Sequence, residues 1–510
     1  MATIDRRHFL GLLANTALLT VVPQTLAASK KSASAEPDLE LELRASPDKV
    51  AILPGSPTRV WRYRAKVLRG DKNVVTNLPD SYLGPVIRAR HGQRVRVHFI
   101  NDLPQSSIVH WHGLIVPEAA DGHPRHAIAP GQQYTYDFEV RNRAGTYWFH
   151  PHPHGHTGEQ VYAGLAGLFI VSDEEEQALG LPDGAQDVAL VIQDRRFDRD
   201  NQLVYLGNMM DRMMGFVGDT ILVNGRPDFE LKAERRAYRL RLLNGSNSRI
   251  YKLAWHDDTP ITVIGTDGGL LAQAVTRPYI TLGPAERVEL WLDLSTRAAG
   301  ERLRLVSLPF ETAGMGPMMG GMGMMGGGRR VDSAFEVLTV KLGNGQAQRG
   351  RLPERLTALE PARDEQAGNY RQPRTFETTM APMRLGLNGR EYEMNEVADD
   401  EVVRLGSTEV WRLVNESSMG MMGGMPHPIH IHGVQFRILK RSVHPAAEAT
   451  WLGISQGHVD EGWKDTLLLM PGERADLLIR FDGYPGLFLY HCHNLEHEDM
   501  GMMRNYLIKA

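Results

Sequence analysis

The chain holds one cysteine, Cys492, among 510 residues. No intrachain disulfide can form, and at this length the fold must rest on its hydrophobic cores rather than on covalent staples. A basic surplus is also missing. Lys and Arg number 57 against 61 Asp and Glu, a formal net charge of −4, which gives no basis for binding nucleic acid. Membrane-spanning runs are lacking too. The apolar stretch that ends at Val22 is short and interrupted by Asn15, Thr16 and Thr20, and no later run is long enough. Sustained helical periodicity is scarce, which disfavours a helical bundle.

What the chain does have is histidine in pairs: His110-Trp111-His112, His150-Pro151-His152, His430-Ile431-His432 and His491-Cys492-His493. A single pair is a weak signal, common in zinc sites and on ordinary surfaces. Four pairs are another matter, because eight neutral imidazoles are costly to bury together unless they coordinate metal. Strand side chains alternate between faces, so His491 and His493 point one way and Cys492 the other. One tripeptide can therefore feed two metal centres. His427, three positions before His430, falls on the Cys492 side, and His497 and Met502 follow on a turn able to fold back. A thiolate, two imidazoles and a distant thioether are the ligands of a blue-copper electron-transfer site, here His427, Cys492 and His497 with Met502 as the axial ligand.

The chain also repeats itself. Three segments end alike: Arg96 to Asn101, Arg239 to Asn244 and Arg412 to Asn415. Gly131 precedes His150 by the interval at which Gly472 precedes His491, and Gly145 and Gly486 each stand five residues before their histidine. Gly283-Pro284-Ala285 holds the corresponding place in the middle, with no histidine pair after it. Alternating apolar and polar residues over short runs, such as Tyr134 to Val140 and Val288 to Leu294, predict β-sandwiches in series. The expected domains are 45–172, 185–342 and 373–510, with connectors in Asp173 to Gly184 and Gly343 to Pro373. Pro151 stands where the last unit has Cys492, so the first unit cannot build the thiolate site. The middle unit, lacking both ligand types, reads as a spacer.

On these motifs the chain resembles the three-domain multicopper oxidases: His110-Trp111-His112-Gly113, Trp148 to His152, His427 to Gly433, and His491 to Met502 match their four copper signatures. The resemblance implies an all-β fold of three consecutive cupredoxin-like Greek-key sandwiches. It implies four copper ions per chain, one type 1, one type 2 and two type 3. His110 and His430 would hold the type 2 ion; His112, His150 and His493 one type 3 ion; and His152, His432 and His491 the other. The implied activity is one-electron oxidation of a donor coupled to reduction of O2 to water. Asp121 and Glu498 resemble the family's proton-relay carboxylates. Their alternative role is to hydrogen-bond ligand histidines.

Methionine is concentrated in two glycine-rich stretches: Met315, Met318, Met319, Met322, Met324 and Met325, then Met419, Met421, Met422 and Met425. Thioethers are soft donors that select Cu(I), so these residues form a candidate substrate-copper site, and the pattern resembles periplasmic cuprous oxidases of copper tolerance. A Met-rich surface for organic donors, as in a laccase-like or bilirubin-oxidase-like enzyme, is the alternative. In those cuprous oxidases an acidic residue stands four positions before the first blue-site histidine; here that residue is Gly423. Arg6-Arg7-His8-Phe9-Leu10 resembles a twin-arginine export signal, with cleavage expected after Ala28 or Ala35 and the mature protein in the periplasm as a monomer. A copper-free structural relative, as in cell division, is disfavoured by the complete ligand set.

Overall fold

The computed structural model describes residues 36–311, 333–381, 384–415 and 424–510. Six β-sheets fall into three successive pairs along the chain. In the first pair, the four-stranded sheet centred on Leu39–Val50 and Arg94–Asn101 faces a five-stranded sheet containing Val109–His112 and Gly145–Pro151. The middle pair has six and five strands, and the last pair has five and five. Each sandwich encloses its own apolar core. Among the described residues the longest helix, Glu448–Ser455, has eight residues. None of these helices is long and apolar enough to cross a membrane.

The repeat in the sequence has a physical basis. Strand Arg94–Asn101 lies parallel to Leu39–Val50, Ala237–Asn244 parallel to Asp187–Arg195, and Thr408–Val414 parallel to Arg374–Ala381. Each of the three strands sets an arginine opposite an acid on its antiparallel neighbour: Arg96 and Asp137, Arg241 and Glu289, Arg412 and Asp476. Each ends on, or just before, an asparagine whose side-chain amide donates to a distant carbonyl: Asn101 to Ile128, Asn244 to Leu282, Asn415 to Leu469. The asparagine's own carbonyl accepts from Gly131, Ala285 or Gly472, all at positive φ. Two of those turns use glycine, which has no Cβ to clash there. The middle one holds an alanine at φ 69°.

Two expectations change. The acidic stretch after Ser172, read as a connector, is built into the fold: Asp173 caps the short helix Glu174–Ala178, and Glu176 is buried between Arg239 and Arg241. Its charge was legible but its partners, more than sixty residues away, were not. The middle sandwich is also more than a spacer, because Thr146 of the first sandwich donates to its Glu289 at 2.6 Å. Burial raises the Glu289 carboxyl, but Arg239 and Arg241 more than offset this and hold it at about 2, below its ordinary 4.5. A depressed carboxyl stabilises the fold above its unfolded-state pKa and loses that contribution as pH falls toward the folded value. Glu289→Gln should therefore cost about 3 kcal/mol at neutral pH, with the gap from wild type closing toward about pH 2 in denaturant titrations.

Candidate metal centres

Two hairpin-like pairings set the geometry. Val109–His112 runs antiparallel to Gly145–Pro151 with His110 opposite His150. His427–Ile431 runs antiparallel to Gly486–Cys492 with His430 opposite His491 and Ile429 opposite Cys492. Strand alternation then sends the paired histidines to one face and Cys492 to the other. The eight histidines from the first and last sandwiches meet in one buried cluster, each at most 1% exposed. His112, His150 and His493 each bring a ring nitrogen within 4.8 Å of the others, as do His152, His432 and His491. His110 Nε2 and His430 Nε2 approach to 3.3 Å.

The outer ring nitrogens fix the tautomers. His110 Nδ1 donates to the Asp121 carbonyl at 2.6 Å, His430 Nδ1 to the Asp465 carbonyl at 2.8 Å, and His491 Nδ1 to the Cys492 carbonyl at 3.1 Å. His150 Nδ1 donates to the Pro151 carbonyl at 2.9 Å, and His432 Nδ1 to Asp121 Oδ2 at 2.8 Å. His112 is turned the other way, its Nε2 meeting Thr466 Oγ1 at 3.0 Å and Asp465 Oδ1 at 3.1 Å. A neutral imidazole that donates from one nitrogen presents a bare lone pair at the other. Burial, reinforced by neighbouring histidines, holds His110, His112, His152, His430, His432 and His493 well below the usual imidazole pKa, and holds His150 at about 4. Those seven rings therefore cannot satisfy their inner nitrogens by taking up protons. His110 against His430, and His432 against His491 at 3.0 Å, are lone pair facing lone pair. Both His493 nitrogens have no hydrogen-bond partner at all. Cations resolve this arrangement, and the donor set fits copper.

On the opposite face, Cys492 Sγ lies 3.5 Å from His427 Nδ1 and 3.9 Å from His497 Nδ1 and accepts from the Asn494 N–H at 3.4 Å. His497 Nε2 donates to the Met213 carbonyl at 3.1 Å, which leaves Nδ1 bare toward the sulfur. Burial lowers His427 well below the usual imidazole value and holds His497 at about 4, and it pushes the Cys492 thiol far up. A thiol so raised ionises only against a bound cation. Met502 is fully buried in the core cluster that contains Cys492, and its carbonyl accepts from the Cys492 N–H at 3.0 Å.

The two acids lie against the cluster. Asp121 touches His432, as above, and its Oδ1 makes no hydrogen bond but lies 3.6 Å from His110 Nδ1. Glu498 Oε1 is 3.5 Å from His152 Nε2, and its Oε2 is 3.2 Å from His491 Nδ1. Burial pushes the Asp121 carboxyl well above the usual carboxylate range. Met425 is buried, with its carbonyl accepting from Asn415 at 2.7 Å. Met315, Met318, Met319, Met322, Met324, Met325, Met419, Met421 and Met422 lie outside the described residues, as does the segment expected to be an export signal.

Several residues that hold the site went unread in the sequence. Asp465 contacts both His112 and His430 and is itself gripped by Arg287 of the middle sandwich through two hydrogen bonds of 2.6 and 2.7 Å. Both side chains are fully buried. The helix Leu495–Asp499, which carries His497, is clamped at both ends. Glu496 accepts from Tyr205 at 2.8 Å and from the Phe216 N–H at 3.0 Å, and Asp499 accepts from the Thr157 and Gly158 N–H groups at 2.8 and 2.9 Å. No motif in a single sequence links residues so far apart.

Comparison with known proteins agrees. Multicopper oxidase family models match residues 60–176 and 359–510. A multicopper oxidase of Staphylococcus epidermidis is 32% identical over 82% of this chain and 81% of its own length. A laccase of Bacillus stratosphericus is 31% identical over 88% and 90%. The crystal structure of the McoA multicopper oxidase from Aquifex aeolicus superposes with a TM-score of 0.76 at 34% identity, covering 93% of this chain and 97% of that one. The cupredoxin-like reading of the three sandwiches stands with that match. The chain belongs to the multicopper oxidases, copper-dependent oxidoreductases that pass electrons from a reducing substrate to O2.

Proposed function

We propose that this chain oxidises Cu(I), with phenolic donors as secondary substrates, and reduces O2 to two waters, in periplasmic copper tolerance. The observation that carries the redox reading is the convergence of bare imidazole nitrogens, with Cys492 behind them on the same strand. Four copper ions per chain fit the donors. His427, Cys492, His497 and Met502 would hold the type 1 ion, and His110 with His430 the type 2 ion. The trios His112, His150, His493 and His152, His432, His491 would hold the type 3 pair. Bound copper supplies one-electron acceptance at the thiolate site and multi-electron reduction of dioxygen at the cluster. The chain supplies the rest. Cys492 is bonded through its backbone to His491 and His493, so a short covalent path joins the two faces of one strand.

Each O2 consumes four electrons and four protons. Asp121 and Glu498 are carboxyl groups within reach, Asp121 through His432 and Glu498 beside His152 and His491, whereas Asp465 beside His112 is held by Arg287. Glu498→Gln keeps the shape and removes the exchangeable acid. It should lower O2 turnover about 100-fold, and increasingly so from about pH 5 to 8 as protons become scarce. Turnover unchanged across that range would remove Glu498 from proton delivery.

The cuprous reading draws on methionine. Met425 stands two residues before His427, and the helix Met209–Met214 exposes Met209 and Met210 while its Met213 carbonyl holds His497. Gly423, where an acid would assist a substrate cation, and the laccase relative favour the second reading, an enzyme acting mainly on organic donors. Deleting 314–328 separates them. Cu(I) oxidation should fall about tenfold or more relative to phenol oxidation, as loss of soft donors to the substrate ion requires. Equal effects on both donors would make the laccase-like reading the better one.

A further inference from the structure

A cavity of about 260 Å3 opens where the first and last sandwiches meet, lined in part by Arg141, Arg143, Gln435, Trp463, Arg480 and Asp482. Its charge is lopsided. Asp482 pairs with Arg480 at 3.2 Å, which leaves two guanidinium groups on the wall. Arg141 donates to the Gly483 carbonyl at 3.2 Å. Arg143 reaches only the Gly268 and Leu270 carbonyls and Thr357 Oγ1, at 3.3–3.5 Å. Neither has a carboxylate partner among the described residues. A third guanidinium, Arg437, packs over the Trp463 ring at 5.6 Å from its centroid and donates to the Glu360 and Glu461 carbonyls, while its buried Nε has no acceptor. Burial first, and then repulsion from Arg143, pulls the Arg437 pKa below its ordinary value, so the two cations feel each other. Gln435 is 8% exposed, and its amide nitrogen makes no well-formed hydrogen bond, approaching only the Tyr147 hydroxyl.

The half-buried guanidinium groups of Arg143 and Arg437 and a buried donor around one small cavity carry an electrostatic and desolvation cost that an anion relieves, and the exposed Arg141, stacked over Tyr484, adds charge at the mouth. Guanidinium forks match the geometry of oxyanions. We propose that this cavity is a binding site for a small oxyanion such as inorganic phosphate, held by Arg141, Arg143 and the Gln435 amide, with Arg437 adding charge behind Trp463. The volume falls below the roughly 300–1,000 Å3 of pockets for drug-sized ligands, so a nucleotide or peptide is too large. The site lies on structurally sensitive ground. Ile115 and Gly433 form part of its wall, three residues beyond His112 and one beyond His432. The Gly268 and Leu270 carbonyls bring in the middle sandwich, so a bound oxyanion would brace all three sandwiches beside the histidine cluster.

The test uses the full-length protein in chloride at fixed ionic strength, titrated with phosphate, sulfate or acetate. Calorimetry and thermal unfolding should show saturable phosphate binding and a rise in Tm of about 2 °C. Arg141→Gln and Arg143→Gln should each weaken binding about tenfold or more, the loss expected for a charge-assisted hydrogen bond. Binding should also change tryptophan fluorescence, and Trp463→Phe should abolish that signal. If the arginine variants fold poorly, Gln435→Leu removes only the amide and should still weaken binding. A response to phosphate and sulfate but not acetate identifies the ligand as a tetrahedral ion, and an equal response to acetate identifies a carboxylate. Phosphate acting no differently from chloride, or binding undiminished in the Arg141→Gln/Arg143→Gln double variant, overturns the proposal.

Discussion

Cys492→Ser is expected to abolish the intense blue thiolate band and to drop donor oxidation to background while the eight-histidine cluster keeps its metal. The substitution is small and the site is fully buried, so packing changes little. What changes is the ligand. A serine hydroxyl stays protonated where a thiol ionises against a cation, and its oxygen is hard where sulfur is soft. Copper content should fall by about one ion per chain, because His427 and His497 alone are a poor site. The cluster histidines lie on the other face of the strand and keep their outer hydrogen bonds. Metal quantitation with electronic spectra reads both halves. Retention of the blue band, or loss of all copper together, would mean that the two faces are not separate centres.

Asp465→Ala should be nearly as damaging, through stability as well as chemistry. Arg287 is fully buried and gives two hydrogen bonds to that carboxylate. Removing one partner of a buried pair costs about 3–5 kcal/mol when nothing replaces it, and here Arg287 keeps only Asp267, 3.6 Å away and shared with Lys464, so the loss should lie toward about 3 kcal/mol. The same change frees His112 Nε2 from its acid, leaving only Thr466 Oγ1. The ring can then adopt the other tautomer or swing, and affinity for metal should fall about 10–100-fold, the usual result of losing the group that orients a ligand histidine. Asp465→Asn, which keeps an oxygen near His112 but lacks the charge, should lie between Ala and wild type. Chemical denaturation and copper retention under a chelator check the two effects separately. If copper retention were unchanged in the alanine variant, Asp465 would be serving only the fold.

The arrangement of the site was legible wherever a strand's two-residue period did the work. His491, Cys492 and His493 declare two faces, and His427 falls on the expected one because it sits an odd number of residues from His430. The threefold repeat was equally readable, since its arginine, asparagine and proline–glycine positions serve one local motif used three times. Long-range partners were not. Arg287 meets Asp465 across 178 residues, and Glu176 meets Arg239 across 63, pairings that no local pattern announces. The middle sandwich was undervalued for that reason. It supplies no histidine, yet it holds Asp465 through Arg287 and His497 through the Met213 carbonyl.

The histidine cluster closes across the junction of the first and last sandwiches, and both flanks are riveted to the middle one. An enzyme assembled this way has no hinge to spend time on: any opening of the joint would scatter the imidazoles. Small cargo must do the travelling along fixed routes, so catalytic pace should be set by supply of reductant, gas and acid rather than by breathing of the polypeptide.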